Sequence, residues 1–226
     1  MGKRIFVIIT LALFVYISLP LVLDFIPTQQ LSYVSQKYVQ DGPEEVGAQN
    51  LVTAIIVTYR GLDTLGEVAV LFIATAGIGF ILSRKKWRKR KKRSSSSILQ
   101  TGTQVLLPLI IMFGIYVFTN GHLTPGGGFQ GGVIIASGIL VYILASPKNK
   151  FKDFLISLTE SISGFGYVLL GLLGLILAAG FLDNSILPLG KFGRLFSAGA
   201  IPLIYSLIGL KVGSELVNIL KYLRRD

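Results

Sequence analysis

Residues 154–182 read FLISLTESISGFGYVLLGLLGLILAAGFL, a stretch in which Glu160 is the only charged residue. A helix needs about 20 predominantly apolar residues to cross the hydrocarbon core of a bilayer. This stretch is longer than that, and a charged side chain within it would be costly to bury in lipid. It therefore predicts a membrane-spanning helix and sets the fold class of the chain.

Further apolar segments lie on both sides of this stretch. Together with Phe154–Leu182 they give six candidate spans: Ile5–Leu23, Leu65–Leu82, Val105–Phe118, Gly131–Ala145, Phe154–Leu182 and Phe196–Leu220. The third and fourth are short, and we expect flanking residues such as Leu99–Gln104 to extend them. The first is longer than the apolar region of a signal peptide and lacks a small-residue cleavage site, so it is retained as a span. The predicted fold is all-α, with six transmembrane helices.

Composition supports a multi-pass membrane protein and excludes several kinds of site. Hydrophobic residues make up 52% of the 226 residues and charged residues 15%, against about 25% charged in soluble domains. The chain has no cysteine and one histidine, His122. Disulfides, thiolate metal sites and cysteine nucleophiles are thereby excluded. We expect a non-catalytic subunit that holds no metal and no cofactor of its own.

The net charge of +11 predicts orientation rather than nucleic-acid binding. Nine of the ten residues in Arg84–Arg93 are basic, and most other basic residues flank apolar segments. With both termini in the cytoplasm, 17 basic residues fall on the cytoplasmic side and three (Lys37, Lys191 and Arg194) outside. Such a bias favours this topology in the cell membrane. Basic residues at this surface are expected to meet anionic lipid headgroups.

The basic run and the four serines that follow it predict a boundary within the chain. Self-repelling charge and small polar residues are typical of a solvated linker. We therefore predict a two-helix module over residues 1–83, a cytoplasmic linker over residues 84–97 and a four-helix module over residues 98–226. The simpler interpretation of the basic run, as a topology anchor without a specific ligand, is favoured over a binding role.

Three ionisable residues lie at the predicted outer end of the second span. Arg60, Asp63 and Glu67 are spaced to share one face of a helix. If Arg60 pairs with Asp63, Glu67 is left one turn deeper as the less compensated carboxylate, able to take up a proton or a cation. In the structural alternative, Arg60 neutralises Glu67 instead.

A second ionisable group lies near the predicted inner side. Glu160 is about two turns into the fifth span, and Lys211 and Glu215 are four residues apart on the sixth. Their depths are comparable, so a pair across the two helices is geometrically possible. Alternatively, Lys211 extends toward the cytoplasm and Glu160 lies in the interface.

A glycine-rich turn joins the third and fourth spans. It contains His122, Pro125, Gly126, Gly127, Gly128, Phe129 and Gln130, and continues into Gly131 and Gly132. Its carbonyl groups could line a cation path, but glycines also allow close packing of helices, which we favour. A lone histidine in such a turn could relay protons, although it is more often without a role.

These stretches together resemble a known family. Gly121-His122 with Pro125–Gly132, and Ile208–Val212, are similar to the B subunit (MnhB) of the multisubunit Mrp-type Na⁺/H⁺ antiporters over roughly Ser96–Leu220. The run Tyr59–Glu67 resembles the C-terminal end of their large A subunit. Both modules recur in the membrane arms of archaeal membrane-bound hydrogenase and sulfane sulfur reductase complexes.

The resemblance implies a membrane subunit of a cation-translocating complex, most readily the ion-pumping arm of a respiratory redox complex. Its partners would be other small membrane subunits and a large antiporter-like subunit, and the transported ion would be Na⁺ or H⁺. The resemblance places Glu67 and Lys211 on the ion path, and implies nothing for Glu160 or Glu215. The alternative is a purely structural subunit that conducts no ion. An independent transporter is disfavoured because the two unequal modules form no inverted repeat.

Overall fold

The computed structural model describes residues 2–23, 30–83, 95–146 and 153–223. Several residues that support the predicted orientation lie outside these ranges: the basic run Arg84–Arg93, Lys148, Lys150, Lys152, Arg224 and Arg225. The side of the membrane on which each terminus lies remains a prediction, as do the module boundaries.

The described residues form helices joined by loops. They are α1 (Gly2–Leu23), α2 (Tyr33–Gln40), α3 (Gly42–Val46), α4 (Leu51–Thr53), α5 (Gly61–Ser83), α6 (Ser97–Thr119), α7 (Gly128–Ala145), α8 (Asp153–Leu177) and α9 (Ile201–Leu223). A π-helical segment, Ala54–Tyr59, follows α4 and leads to α5. A short 3₁₀ turn covers Asn184–Ile186. Among these residues six helices, α1 and α5 to α9, are long and apolar enough to cross a membrane. The predicted all-α, six-span fold is confirmed.

The last two spans differ from the predicted segments at the ends that face each other. α8 ends at Leu177 rather than Leu182, because the chain turns back after Leu177 and the Phe181 ring packs against Gly171. α9 begins at Ile201 rather than Phe196. Ala198 and Gly199 before it have φ of 61° and 56°, in the left-handed region that a right-handed helix cannot contain. The third and fourth spans both extend beyond their apolar segments, as expected.

The chain divides into two compact units, Met1–Gln36 and Lys37–Asp226. In the first unit, α1 buries none of its residues, and Phe6, Phe14 and Leu21 are each more than two-thirds exposed. An apolar helix that buries none of its described side chains suits a lipid environment.

In the second unit, α9 is the central helix. It packs against α5, α6, α7 and α8, while α6 and α7 form a hairpin beside it. Glycines bring these helices together: a Cβ atom at Gly131 would lie 2.6 Å from the carbonyl oxygen of Gly114, and one at Gly132 would lie 2.7 Å from that of Gly209. Only glycine permits backbones to approach so closely within lipid. The glycines of the predicted outer turn therefore pack within the chain.

The five spanning helices of this unit, α5 to α9, alternate in direction, which gives the bundle two ends. We call the end with the α6–α7 turn (residues 120–127) and the α8–α9 connection (residues 178–200) the glycine-rich end. The other end carries the last turns of α5, α7 and α9, where the side chain of Tyr222 packs against Gly79.

Candidate ion site

Lys211 lies inside the bundle, where α5, α8 and α9 meet. It is 8% exposed, and its Nζ lies 4.8 Å from the centre of the Phe72 ring on α5. Its aliphatic carbons pass Gly164 on α8, where an added Cβ would lie 3.2 Å from Cε. Lys211 therefore does not extend to solvent, and the glycine and the aromatic ring together make room for its cationic end.

Two carboxylates approach this ammonium group. Glu215, one turn along α9, places Oε1 2.6 Å from the Lys211 Nζ, and Glu160 on α8 places Oε1 3.8 Å from it. Glu160 Oε2 accepts a hydrogen bond from the Asn218 side-chain amide. The pair across helices that the sequence allowed is thus formed. We call Glu160, Lys211, Glu215 and Asn218 the lysine cluster.

The lysine cluster contains two carboxylates and one ammonium group. Glu215 is fully buried, and its Oε2 has no hydrogen-bond partner among the residues the structure describes. Burying charges inside a membrane is expensive unless they are paired and hydrogen-bonded. With both carboxylates ionised the cluster carries one negative charge in excess, so it has capacity for one further positive charge.

The local sequence explains how these residues meet. On α8, Glu160, Gly164 and Tyr167 are spaced by four and three residues, which places them on one helix face. On α9, Lys211, Glu215 and Asn218 follow the same spacing. Close packing of α8 on α9 then brings both polar faces into one seam.

Glu67 lies on α5, closer to the glycine-rich end. Arg60 Nε lies 2.6 Å from Asp63 Oδ2, so these two residues form the predicted pair, and both are exposed. Glu67 makes no ion pair or hydrogen bond with any described residue. It is exposed on this chain rather than enclosed within it. A carboxylate on the outer face of a spanning helix requires a polar neighbour from elsewhere.

The segment that leads to Glu67 is not a regular helix. Residues Ala54–Tyr59 form a π-helix, closed by a bond from the Arg60 amide to the Ile55 carbonyl at 2.8 Å. Thr64 donates its hydroxyl hydrogen to the Ile56 carbonyl at 2.8 Å, which joins the π-helix to the first turn of α5. π-helical turns are frequent at functional sites, and here one sets the position of Arg60 and Asp63.

Two buried tyrosines lie near Glu67. Tyr167 and Tyr205 belong to the same apolar core as Val68, the residue that follows Glu67 on α5. Tyr205 donates its hydroxyl hydrogen to Thr53 Oγ1 at 3.1 Å. The hydroxyl of Tyr167 is buried and has no hydrogen-bond partner in the described part of the chain. We call Glu67, Tyr167 and the lysine cluster, along α5, α8 and α9, the polar seam.

Three carbonyl groups of the glycine-rich turn accept hydrogen bonds from the 50–53 segment. Asn50 donates from Nδ2 to the carbonyl oxygens of Gly121 at 2.8 Å and Thr124 at 3.0 Å, and from its backbone amide to that of His122 at 3.0 Å. Thr53 donates its hydroxyl hydrogen to the Gly121 carbonyl at 2.6 Å. These carbonyls therefore hold the 50–53 segment in place, and the arrangement supports packing over cation binding for this turn.

Asn184 also holds irregular segments in place at the glycine-rich end. It is 2% exposed, and its Nδ2 donates to the carbonyl oxygens of Val46 at 2.8 Å and Ala198 at 3.2 Å. Its Oδ1 accepts a bond from the Thr58 hydroxyl at 3.3 Å. Asn50 and Asn184, with their partners, form what we call the cap over the glycine-rich end.

His122 is fully buried in the cap, which its place in a turn did not indicate. Its Nε2 lies 3.3 Å from the Arg194 carbonyl oxygen, so this nitrogen carries the hydrogen, and Nδ1 has no partner among the described residues. Burial lowers the pKa of His122 below its usual value, and this effect exceeds that of backbone hydrogen bonds, which raise it. His122 is therefore a neutral residue that ties the α6–α7 turn to the α8–α9 connection.

The remaining residues of the turn are close to α9 or exposed. A Cβ at Gly128 would lie 2.6 Å from Ile208, and one at Gly127 would lie 3.2 Å from the Tyr205 ring. Gly126 has a φ of 151°, at the edge of the region that favours glycine. Phe129 packs against the core, whereas Pro125 and Gln130 are exposed.

The sequence did not point to several polar residues of these sites. Tyr167 and Asn218 could have been found by extending the helical faces of Glu160 and Glu215 by two turns and one turn. Asn50 and Asn184 are in irregular segments, where no periodicity indicates which polar side chains become buried.

Two family models match the chain. Residues 98–218 match the domain related to the MnhB subunit of Na⁺/H⁺ antiporters, and this range covers more than half of the chain. The chain belongs to the MnhB-related family. Residues 4–100 match a second model, MbhE, which describes one of the subunits of MBH.

Curated relatives and solved structures agree with this assignment. An uncharacterised protein of Methanocaldococcus jannaschii is 29% identical over 191 residues, covering 72% of each chain. The B subunit of the Na⁺/H⁺ antiporter of Bacillus subtilis is 33% identical over 42% of this chain and 68% of its own length. A chain of the membrane-bound sulfane sulfur reductase, an archaeal respiratory membrane complex, is 40% identical over the full length of both chains, with a TM-score of 0.84.

A likeness in fold extends to the Mrp complex of a Dietzia species. The matched chain has a TM-score of 0.76 and 22% identity, and 99% of the MnhB-related chain covers 26% of it. The predicted resemblance, the multi-pass membrane location and the relationship to membrane ion transport are confirmed by these comparisons.

Proposed function

We propose that this MnhB-related chain forms part of the cation path in the membrane arm of a redox-driven Na⁺ or H⁺ pump. The lysine cluster carries the proposal: two carboxylates share one ammonium group within spanning helices, and one of them, Glu215, is fully buried with an uncommitted oxygen. A packing subunit has no need of a second carboxylate beside one ammonium group within spanning helices. The chain itself performs no redox chemistry in this proposal.

Glu67 is the proposed point at which the ion meets this chain. The hydrogen bonds of Asn50 and Asn184 close the glycine-rich end, so an ion would approach Glu67 from the exposed side of α5. That side would be covered by a partner subunit with polar groups at the same depth. Full-length similarity to a chain of a multisubunit respiratory membrane complex supports such partners, and a large antiporter-like subunit is the proposed neighbour.

The test is ion transport by the purified complex in proteoliposomes, with Glu67→Gln in this chain. We expect transport to fall to the level of empty vesicles, because the amide cannot exchange a cation, while every subunit remains assembled. Asp63→Asn is the matched control, since it removes a carboxylate four residues away that is already paired with Arg60. Full transport by the assembled Glu67→Gln complex would reject the assignment.

The alternative is a structural subunit, favoured by the close glycine contacts of α7 with α6 and α9. If the chain only holds the membrane arm together, Glu67→Gln leaves transport unchanged. Replacing Gly132, whose Cβ would meet the Gly209 carbonyl, would then reduce transport only in proportion to the loss of assembled complex.

A further inference from the structure

Tyr167 is a buried polar residue outside the lysine cluster. It is 1% exposed, and its hydroxyl makes no hydrogen bond within the described residues. Its ring belongs to the apolar core that includes Val68 of α5 and Ile204 of α9. Burying a hydroxyl without a partner is unfavourable, and an unsatisfied group in a native structure commonly marks an absent water or ion. Phenylalanine would fill the same space without this cost.

Along the bundle, Tyr167 lies at a level between Lys211 and Glu67. Tyr167 follows Gly164, which contacts Lys211, by one helical turn toward the glycine-rich end. On α5, Val68 of the same apolar core directly follows Glu67. Glu67 precedes Phe72, the residue under the Lys211 ammonium group, by roughly 7 Å of helix. Tyr167 therefore lies between the levels of Glu67 and Lys211 along the helices.

We propose that the Tyr167 hydroxyl oxygen is a neutral ligand for the monovalent cation taken up at Glu67, holding it on the way to the lysine cluster. This inference rests on the proposed function. A phenolic oxygen can accept a bond from a hydrated proton or coordinate Na⁺ while its own hydrogen is donated to a carboxylate. Glu67 supplies the charge at the exposed side, and Tyr167 supplies an oxygen behind it.

The proposal predicts effects of opposite sign on stability and on transport. Tyr167→Phe keeps the ring and removes an unpaired buried hydroxyl, so the melting temperature of the complex should be unchanged or higher. Transport should nevertheless need a higher cation concentration to reach half of its maximal rate. A hydroxyl with a merely structural role would give the reverse result, a less stable protein with unaltered transport once assembled.

The experiment measures transport by the Tyr167→Phe complex in proteoliposomes, in two series. One varies the NaCl concentration at fixed pH, and the other varies pH at fixed Na⁺. We expect the half-saturating concentration of either Na⁺ or H⁺ to rise about tenfold, the effect of losing one hydrogen bond or ligand contact to a charged group. Tyr116→Phe, which removes a half-exposed hydroxyl on α6, is the control and should leave both series unaltered.

The series in which the half-saturating concentration rises identifies the ion. An unaltered half-saturating concentration in both series would overturn the role of Tyr167. Glu67→Gln is measured in parallel to separate this failure from that of the proposed function. If Glu67→Gln abolishes transport and Tyr167→Phe has no effect, only the present inference fails. If both are silent, the proposed function fails as well.

Discussion

The cap and the polar seam differ in how their amide and carboxylate side chains are paired. In the cap, the side-chain amides of Asn50 and Asn184 are saturated by backbone carbonyls. In the seam, the Tyr167 hydroxyl and one oxygen of Glu215 are buried without a partner among the described residues, and the exposed Glu67 makes no ion pair or hydrogen bond with them. Both regions lie in one unit of an MnhB-related protein and pack on the same helix, α9.

This difference separates polar side chains that hold the fold together from polar side chains that are available to a ligand. Neutral amides that bond to carbonyls fix irregular segments at little net cost, because donor and acceptor are both paired; in the cap, His122 Nδ1 is buried without such a partner among the described residues. Unbalanced carboxylates in spanning helices lower stability unless something else binds them, and a transported cation is one such ligand. The comparison predicts that changes in the cap alter stability alone, whereas changes in the seam alter transport.

The largest effect is expected at Lys211. Lys211→Met leaves Glu215 fully buried without its counter-charge, which should lower the free energy of unfolding by about 3–5 kcal/mol and stop transport. Thermal unfolding of the purified complex, together with the yield of assembled complex, measures the first effect. The double variant Lys211→Met/Glu215→Gln should recover most of the stability but not transport. A stable Lys211→Met complex would show that Glu215 is held neutral.

A smaller effect is expected in the cap, at Asn184. Asn184→Ala leaves the carbonyls of Val46 and Ala198 and the Thr58 hydroxyl without their partner, which should cost about 2–4 kcal/mol. Transport per assembled complex should stay the same. Ser185→Ala, at an exposed neighbouring position, is the control for thermal unfolding. A change in the cation dependence of transport in Asn184→Ala would remove the distinction between cap and seam.

The smallest effect is a pH dependence at His122. Because burial lowers the pKa of His122 from 6.5, the unfolded chain binds a proton below about pH 6.5 that the folded chain does not. Acidification therefore destabilises the folded protein. His122 is the only histidine of the chain. The stability difference between the wild type and His122→Gln should be larger at pH 8 than at pH 5.5; an equal difference at both would contradict this account.

Spacing along a helix predicted the polar contacts made within that helix. Arg60 pairs with Asp63 three residues away, and Lys211 pairs with Glu215 four residues away, as helical geometry requires. The depth of Glu160 predicted its possible contact with Lys211 across two helices. That these three groups share one buried cluster depended on the packing of α8 against α9, which Gly164 makes possible at the level of Lys211.

The ends of helices and the burial of loop residues could not be predicted in this way. Apolar residues continue through Phe181 and begin again at Phe196, so hydrophobicity alone did not show that the chain leaves the helix at Leu177 and re-enters it at Ile201. His122 and Asn184 are polar residues in connections, a position that usually means exposure. Both are buried because the two connections fold over the helix ends and cover each other.

The sequence by itself determined that this chain is a six-span, all-α membrane protein of the MnhB type, because apolar length and a long glycine motif are properties of the linear chain. Only the tertiary structure decided which polar groups are satisfied and which are left for a ligand. Hydrogen bonds and ion pairs between helices depend on distances of a few ångströms, and those distances are set by how closely glycine-containing helices pack.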